Sequence, residues 1–293
     1  MNIAQKIPVT GDARSDLACK AALAAANVIN DQFGHRLINA YKGQHDVQLS
    51  ADIAAQKIIV DMLRSAYPDH GIVAEEGELG RWGGRRFLWA VDPLDGTNNF
   101  GYGVAHCALA ITLFEAESVV LALVYDPIVG RWFFKVRNGE GAPRPVSRHT
   151  PLSRATLSLV TGYAEPGREW GGEFAQWMAP RCKRMVNLWA PALDLALVSS
   201  GSLDAMVCRD AAFLDVCGGM FLVREAGGQV LDLNGNPLQV RRSMHERPVS
   251  FVAAHSEALA HELLATIDAF ERRRPSVADC SLYVTGQEAL IHG

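Results

Sequence analysis

The residues best suited to chemistry are carboxylates placed next to predicted strands and helices. Residues 89–100 read WAVDPLDGTNNF, so an apolar run leads directly to Asp92, and Asp95 follows three residues later. Glu75 follows another short apolar run, and Asp215 precedes a predicted helix. Ligand sites of α/β proteins lie at the carboxyl ends of strands. Because carboxylate oxygens are hard ligands, these positions predict a site for two or three Mg²⁺ ions.

The turn after Asp92 is also suited to an anion. Gly96 permits a close backbone approach, and Thr97 lies where a helix should begin, so free amides there favour a negatively charged group. For an isolated DxxDG, a polar turn with a helix cap is an equally good interpretation, since Asp and Gly are common in turns. The other carboxylates favour a metal site. Glu76, which follows Glu75, is expected to lie in a solvated loop.

The elements that must position these residues are predicted from hydrophobic spacing and from Gly and Pro breaks. A polar loop is expected between the first two helices, and residues 139–148 are expected to connect two halves of the chain. Helices are predicted over 12–33, from a cap at Ser50 to Tyr67, and near 169–180, 191–201, 216–226 and 256–272. Strands are predicted over 71–74, 87–91, 107–114, 119–125 and 131–136, and near 155–161 and 228–233.

Composition indicates an ordinary globular protein. The chain has 293 residues, of which 49% are hydrophobic, and a formal net charge of -4. This balance gives no electrostatic reason to expect nucleic acid or an anionic membrane as a partner. The N-terminus lacks the basic and apolar segments of a signal peptide, and no apolar stretch approaches the ~20 residues of a membrane helix. We therefore expect a soluble, cytoplasmic protein.

Cysteine and histidine offer no competing site. Neither CxxC nor HExxH occurs, so the six cysteines and nine histidines predict no zinc site and no disulfide framework. His106 is expected to be structural. An acidic protein that acts on a phosphate needs local positive charge, and a bound cation would supply it.

Taken together, these motifs resemble the inositol monophosphatase family of Mg²⁺-dependent, lithium-sensitive phosphatases. The resemblance runs from about residue 10 to 270 and also includes Asp46, Asp52 and the segment VREAGG at 223–228. It implies a layered α/β/α/β/α sandwich of the sugar-phosphatase type, with metals in the cleft between two halves. Residues 1–142 would form the α+β half and residues 143–293 the α/β half. A homodimer is also implied.

The resemblance implies a metal role for five residues. Glu75, Asp92 and the Leu94 carbonyl would hold a first Mg²⁺. Asp92, Asp95 and Asp215 would hold a second, and Glu75 with water a weaker third.

The remaining implied roles concern water and substrate. Asp46 and Thr97, together with metal-bound Glu75, would orient the attacking water. The Gly96 and Thr97 amides would receive the phosphate, next to Asp215.

The substrate pocket departs from the family pattern. The family's Gly-Ser/Thr-Ala-Ala appears as WAPA at 189–192, its substrate-binding acid falls on or near Cys208, and Leu214 or Phe213 stands in place of its Trp. Trp189 and Cys208 are therefore expected to contact a different substrate. Alternatively, Trp189 and Pro191 repack the base of the cleft, and Cys208 is a buried apolar residue.

Two functions remain open from the sequence. The first is a phosphomonoesterase that hydrolyses a small phosphorylated metabolite by metal-activated water. The second is a catalytically weak relative that acts as a regulatory or protein-binding module. All the acids that a phosphatase needs are present, which favours the first.

Overall fold

The computed structural model describes residues 11–42, 47–76, 82–139 and 150–274. Within these ranges, no helix combines the length and apolar character needed to cross a membrane. The helices are α1 (Ala13–Gln32), α2 (Ser50–Ala66), α3 (Thr97–Gly101), α4 (Glu165–Met178), α5 (Pro191–Ser199), α6 (Phe213–Glu225) and α7 (Glu257–Glu271). The strands are β1 (Ile38–Tyr41), β2 (Val47–Leu49), β3 (Gly71–Ala74), β4 (Phe87–Asp95), β5 (Ala108–Glu115), β6 (Ser118–Asp126), β7 (Arg131–Val136), β8 (Thr156–Thr161), β9 (Arg184–Val186), β10 (Ala205–Ala211), β11 (Gln229–Asp232) and β12 (Val249–Ala254).

Two five-stranded mixed sheets organise the described chain. The first has the order β3-β4-β5-β6-β7, in which β3 runs parallel to β4 and the other neighbours are antiparallel. The second has the order β11-β12-β10-β8-β9, in which β8 runs parallel to both β10 and β9. Strands β1 and β2 form a separate antiparallel pair.

Three hydrophobic clusters bind the sheets and helices into five layers. One cluster joins α1 and α2 to the outer face of the first sheet, and another joins α4 and α7 to the outer face of the second. The central cluster contains α5, α6 and the inner faces of both sheets. Alternation along β4 shows how the first sheet serves two layers, since Leu88 and Ala90 face the central cluster while Trp89 and Val91 face the outer one. The predicted α/β/α/β/α sandwich is confirmed.

Several strands were not predicted from the sequence. The predicted polar loop before α2 contains β1 and β2, and the C-terminal half contains β9, β10 and β12 in addition to the two strands predicted there. Strand β12 is buried along almost its whole length, so its sequence VSFVAA lacks the alternation of a strand with one solvated face. The predicted connection at 139–148 and the boundary between 142 and 143 fall almost wholly outside the described residues.

The prediction that Ser50 caps α2 is wrong. Ser50 is the first residue of the helix, and its hydroxyl donates to the Leu37 carbonyl at 3.3 Å. Asp52, two residues inside the helix, instead accepts the backbone N–H of Leu49 at 3.0 Å. This contact fixes the start of α2 and directs a buried carboxylate toward the chain that follows β4.

Candidate active site

Four carboxylates predicted as metal ligands line one cavity of about 510 Å³. Glu75 directly follows β3, Asp92 and Asp95 belong to the end of β4, and Asp215 is the third residue of α6. Strand β4 is a central strand of the first sheet, and α6 lies between the sheets. The structure therefore brings Glu75 and Asp215, which are 140 positions apart in the sequence, to the same cavity.

The buried carboxylates repel one another. Asp92 and Asp95 are only 3% and 4% exposed. Burial raises the pKa of Asp92 well above its ordinary value, and the charges of Glu75, Asp95 and Asp215 raise it further. Burial also raises the pKa of Asp95, although the N–H of Leu193 donates to its Oδ2 at 2.9 Å. A divalent cation would relieve this repulsion by neutralising the charged forms.

Thr97 connects the turn after β4 to α2. Its hydroxyl oxygen lies 2.8 Å from the Leu94 carbonyl and 2.9 Å from Asp52 Oδ1. Because a hydroxyl has one proton, it donates to one of these acceptors at a time. Burial raises the pKa of Asp52 to about 7, and the charges of Glu75 and Glu76 act in the same direction.

Asp52 has a contact that sequence reasoning did not predict. Its carboxylate is fully buried and lies beside Thr97, a predicted catalytic residue. The available signal was an aspartate on the apolar face of a helix, where Asp is rarely buried without a partner. Asp46, for which a catalytic role was predicted, lies outside the described residues.

Lys42 brings positive charge to this end of the cavity. Its Nζ lies 2.7 Å from Glu75 Oε1 and 2.6 Å from Glu76 Oε1. Glu76 also accepts a hydrogen bond from the Gln48 amide, and Gln56 bonds both its backbone N–H, at 2.8 Å, and its carbonyl. The prediction of a solvated loop at Glu76 is therefore wrong, since Glu76 is only 5% exposed.

Gly96 forms a turn that a side chain would obstruct. Its φ is 80°, in the left-handed region, and α3 begins at the next residue. A Cβ atom at this position would lie 2.8 Å from the His106 carbonyl oxygen and 3.0 Å from the Ala190 Cβ. The close approach that Gly96 permits is therefore made to other parts of the protein. It brings the turn against the segment before α5.

Trp189 lies on the wall of the cavity. Its ring contacts the Tyr163 ring edge-on, with centroids 4.5 Å apart and planes at 71°. The backbone φ of Trp189 is 47°, which is strained for a residue with a side chain. The alternative that Trp189 and Pro191 repack the base of the cleft stays open, since both residues line the cavity.

Cys208 lies away from the cavity, contrary to its predicted contact with substrate. It is fully buried in β10, and its thiol points to the Val249 carbonyl at 3.8 Å. The strand has a bulge between Cys208 and Ala211, and Asp210 within this bulge lines the cavity with a φ of 59°. The acid on this wall is therefore two residues beyond the expected position.

A histidine–aspartate pair joins α5 to the segment before β5. His106 Nε2 lies 2.7 Å from Asp194 Oδ1, and the Ser158 hydroxyl donates to Oδ2 at 2.5 Å. Asp194 is fully buried and follows Leu193, whose N–H holds Asp95. The pair therefore fixes the start of α5 against the carboxylate cluster.

We expect His106→Phe to reduce the free energy of unfolding by about 2–4 kcal/mol, because Asp194 would lose a partner while remaining buried. The double variant with Asp194→Asn should lose less than the sum of the single changes. Urea denaturation measures both effects. His261→Gln is the control, because His261 is a surface residue 3.8 Å from Glu257 and its loss should cost little. Additive losses in the double variant would contradict this account.

Comparison with known proteins agrees with the fold. A model of the inositol monophosphatase family matches residues 12–270. The Nus factor SuhB of Xylella fastidiosa is 35% identical over 235 residues, covering 75% of this chain and 82% of that protein. The fructose-1,6-bisphosphatase/inositol-1-monophosphatase of Thermotoga maritima is 31% identical over 224 residues, covering 76% and 86%. A solved structure of a Thermotoga maritima IMPase matches with a TM-score of 0.77 and 26% identity, covering 88% and 98%.

Five alternating layers with an acid-lined cavity define the same class of α/β protein as that IMPase structure. The chain belongs to the inositol monophosphatase family. The resemblance stated from the motifs is therefore confirmed.

Proposed function

We infer that this protein is a Mg²⁺-dependent phosphomonoesterase that hydrolyses a small phosphorylated metabolite. The observation that carries the proposal is the convergence of Glu75, Asp92, Asp95 and Asp215 on one cavity, where burial and mutual repulsion raise the pKa values of Asp92 and Asp95. Isolated buried charges are costly unless they are paired or coordinate a metal. Family membership supports the same reaction.

The four carboxylates are of the right chemical type for Mg²⁺. Although they line the same cavity, their oxygens do not yet surround a single metal position within the described ranges. Lys42 contacts Glu75, and backbone N–H groups contact Asp92 and Asp95. The side chains of Glu75, Asp92, Asp95 and Asp215 are all carboxylates, which are the oxygen ligands that Mg²⁺ prefers. A bound cation would offset their excess negative charge. A bound Mg²⁺ supplies positive charge to the phosphoryl oxygens and makes water more acidic.

Individual residues would hold the cations as the family resemblance suggests. Glu75, Asp92 and the Leu94 carbonyl would hold the first ion. Asp92, Asp95 and Asp215 would hold the second, and Glu75 would contribute to a third.

The protein's own groups would orient water and phosphate. Thr97 donates its proton to Asp52 or to the Leu94 carbonyl, so its oxygen can accept a hydrogen bond from an attacking water. Asp52 then serves to position Thr97. The backbone amides of Gly96 and Thr97 would receive the phosphate, and Asp46 would share the orientation of water.

The alternative function is a regulatory or protein-binding module. It is raised by the relative named Nus factor SuhB. The complete set of four carboxylates favours the phosphatase, because a binding module has no need to keep mutually repelling buried acids. We also propose that the protein forms a homodimer, is located in the cytoplasm and is inhibited by lithium.

Turnover of p-nitrophenyl phosphate tests the proposal. We expect hydrolysis that requires Mg²⁺, is lost in EDTA and returns when Mg²⁺ is restored. Millimolar Li⁺ should inhibit it, since Li⁺ can occupy a cation position with one charge fewer. Equal rates with and without Mg²⁺, or full activity in high Li⁺, would contradict the metal assignment. No turnover of any phosphate ester would favour the regulatory alternative.

A further inference from the structure

Three aromatic side chains line the main cavity together with the carboxylates. Trp189, Tyr163 and Trp82 all line it, together with Leu214 and Pro248. These side chains offer broad apolar surface, while Asp210 and Thr161, which line the same cavity, can bond only a few hydroxyl groups of a ligand. The chemistry of this wall therefore differs from that of the acidic end.

Trp189 is held as a wall rather than as packing. It lines the main cavity and also a neighbouring cavity of about 380 Å³, and Tyr163 and Thr97 line both as well. The ring therefore stands between two solvent-accessible spaces, beside the turn that begins α3. Its left-handed backbone, with φ of 47°, is a conformation that glycine would adopt without strain.

Trp82 is a second rigid ring. It stacks on His245, with centroids 5.0 Å apart and planes at 17°, and it contacts the Phe213 ring at 5.5 Å. Phe213 is nearly fully buried and lies two residues before Asp215. Trp82 is thereby fixed by contacts with the element that carries one of the carboxylates.

We propose that the organic body of the substrate is a planar aromatic ring, which binds against Trp189 and Trp82 while its phosphate lies at the carboxylate end. The inference rests on the proposed function only for the position of the phosphate. Rings stack by their π faces, so a planar ring gains an attraction that a puckered ring of similar size does not. A saturated polyol would keep only apolar contact with the rings and would leave unpaired the hydroxyl groups that Asp210 and Thr161 do not reach.

The test compares benzylphosphonate with cyclohexylmethylphosphonate, which have the same anionic group and similar size but differ in planarity. Affinity is measured by calorimetry in Mg²⁺, so no turnover is needed. We expect the full-length protein to bind the planar ligand about threefold to tenfold more tightly. Equal affinities, or failure to bind either ligand, would overturn the inference.

Variants at position 189 locate the preference. Trp189→Phe keeps a ring and should keep most of the ratio, whereas Trp189→Leu keeps apolar volume without a π face and should lower the ratio, because only Trp82 would still offer a ring. Trp177→Leu is the matched control, because Trp177 lines a different surface cavity and its loss should leave the ratio unchanged. A ratio that is unchanged in Trp189→Leu would also overturn the inference.

Hydrolysis of the corresponding esters separates this inference from the proposed function. Benzyl phosphate and cyclohexylmethyl phosphate both release a primary alcohol, so their kcat/KM values should follow the same preference. Planar selectivity in binding without turnover of either ester would contradict the phosphatase and support the aromatic site. Turnover of both esters at equal kcat/KM, with equal phosphonate affinities, would support the phosphatase and contradict the aromatic site.

Discussion

Asp92→Asn is expected to abolish phosphatase activity and to stabilise the metal-free protein. The variant would lose a ligand of two proposed cations, and the rate should fall by at least about 10³. The opposite effect on stability follows from the raised pKa of Asp92, caused by burial and by Glu75, Asp95 and Asp215. Because the folded state holds this proton more tightly than the unfolded state, metal-free wild type should lose stability as pH rises above about 4. Asparagine removes Asp92's share of that loss.

Thermal unfolding in EDTA and in Mg²⁺ measures both parts of this prediction. At pH 7 in EDTA, Asp92→Asn should have the higher midpoint, and Mg²⁺ should raise it less than it raises the wild-type midpoint. Asp126→Asn is the control, because Asp126 is a buried carboxylate whose charge is compensated by an ion pair and by hydrogen bonds. Asp126 pairs with Arg131 at 2.9 Å and accepts backbone N–H groups, so its replacement should destabilise the protein. A lower midpoint for Asp92→Asn in EDTA would show that the cluster is not repulsive.

Gly96→Ala is expected to disrupt the turn that precedes α3. The added Cβ would lie 2.8 Å from the His106 carbonyl oxygen, on a backbone whose φ is 80°. Overpacking and left-handed strain together should reduce the free energy of unfolding by about 2–4 kcal/mol. Because Thr97 is the next residue, displacement by about 1 Å should also reduce kcat/KM by roughly 10².

Gly227→Ala separates strain from the steric clash. Gly227 has a φ of 83°, and a Cβ there would meet nothing within 4 Å. It should therefore cost only about 1–2 kcal/mol and leave kcat/KM unchanged. Equal losses of stability and activity in both variants would mean that backbone strain alone accounts for the effect at Gly96.

The sequence predicted the local parts of the site well. An apolar strand that runs into Asp92 and a turn that brings Asp95 into the same cavity are features of one short segment. The layers were also predictable, but only through the family resemblance, because a mixed sheet leaves no single period along the chain. Strand β12 shows the difficulty, since burial on both faces removes the alternation that would identify it.

The remaining features depend on contacts between distant segments. Asp52 bonds Thr97 across 45 positions, and Glu76 is buried because Lys42 and Gln48 come to it from another element. Sequence spacing identifies neither the contact between Asp52 and Thr97 nor the partners of Glu76. Asp210 was missed for a different reason, because a bulge in β10 changes which residue faces the cavity.

The positions of the aromatic wall have an evolutionary consequence. Tyr163 lies between β8 and α4, and Trp189 lies between β9 and α5, so both belong to connections rather than to the buried layers. The carboxylates, by contrast, lie on or directly beside strands and helices that hold the layers together. Loop residues tolerate exchange better than packed ones. Under the proposed function, descendants of such a chain could acquire new substrates through substitutions in two connections while keeping the carboxylates.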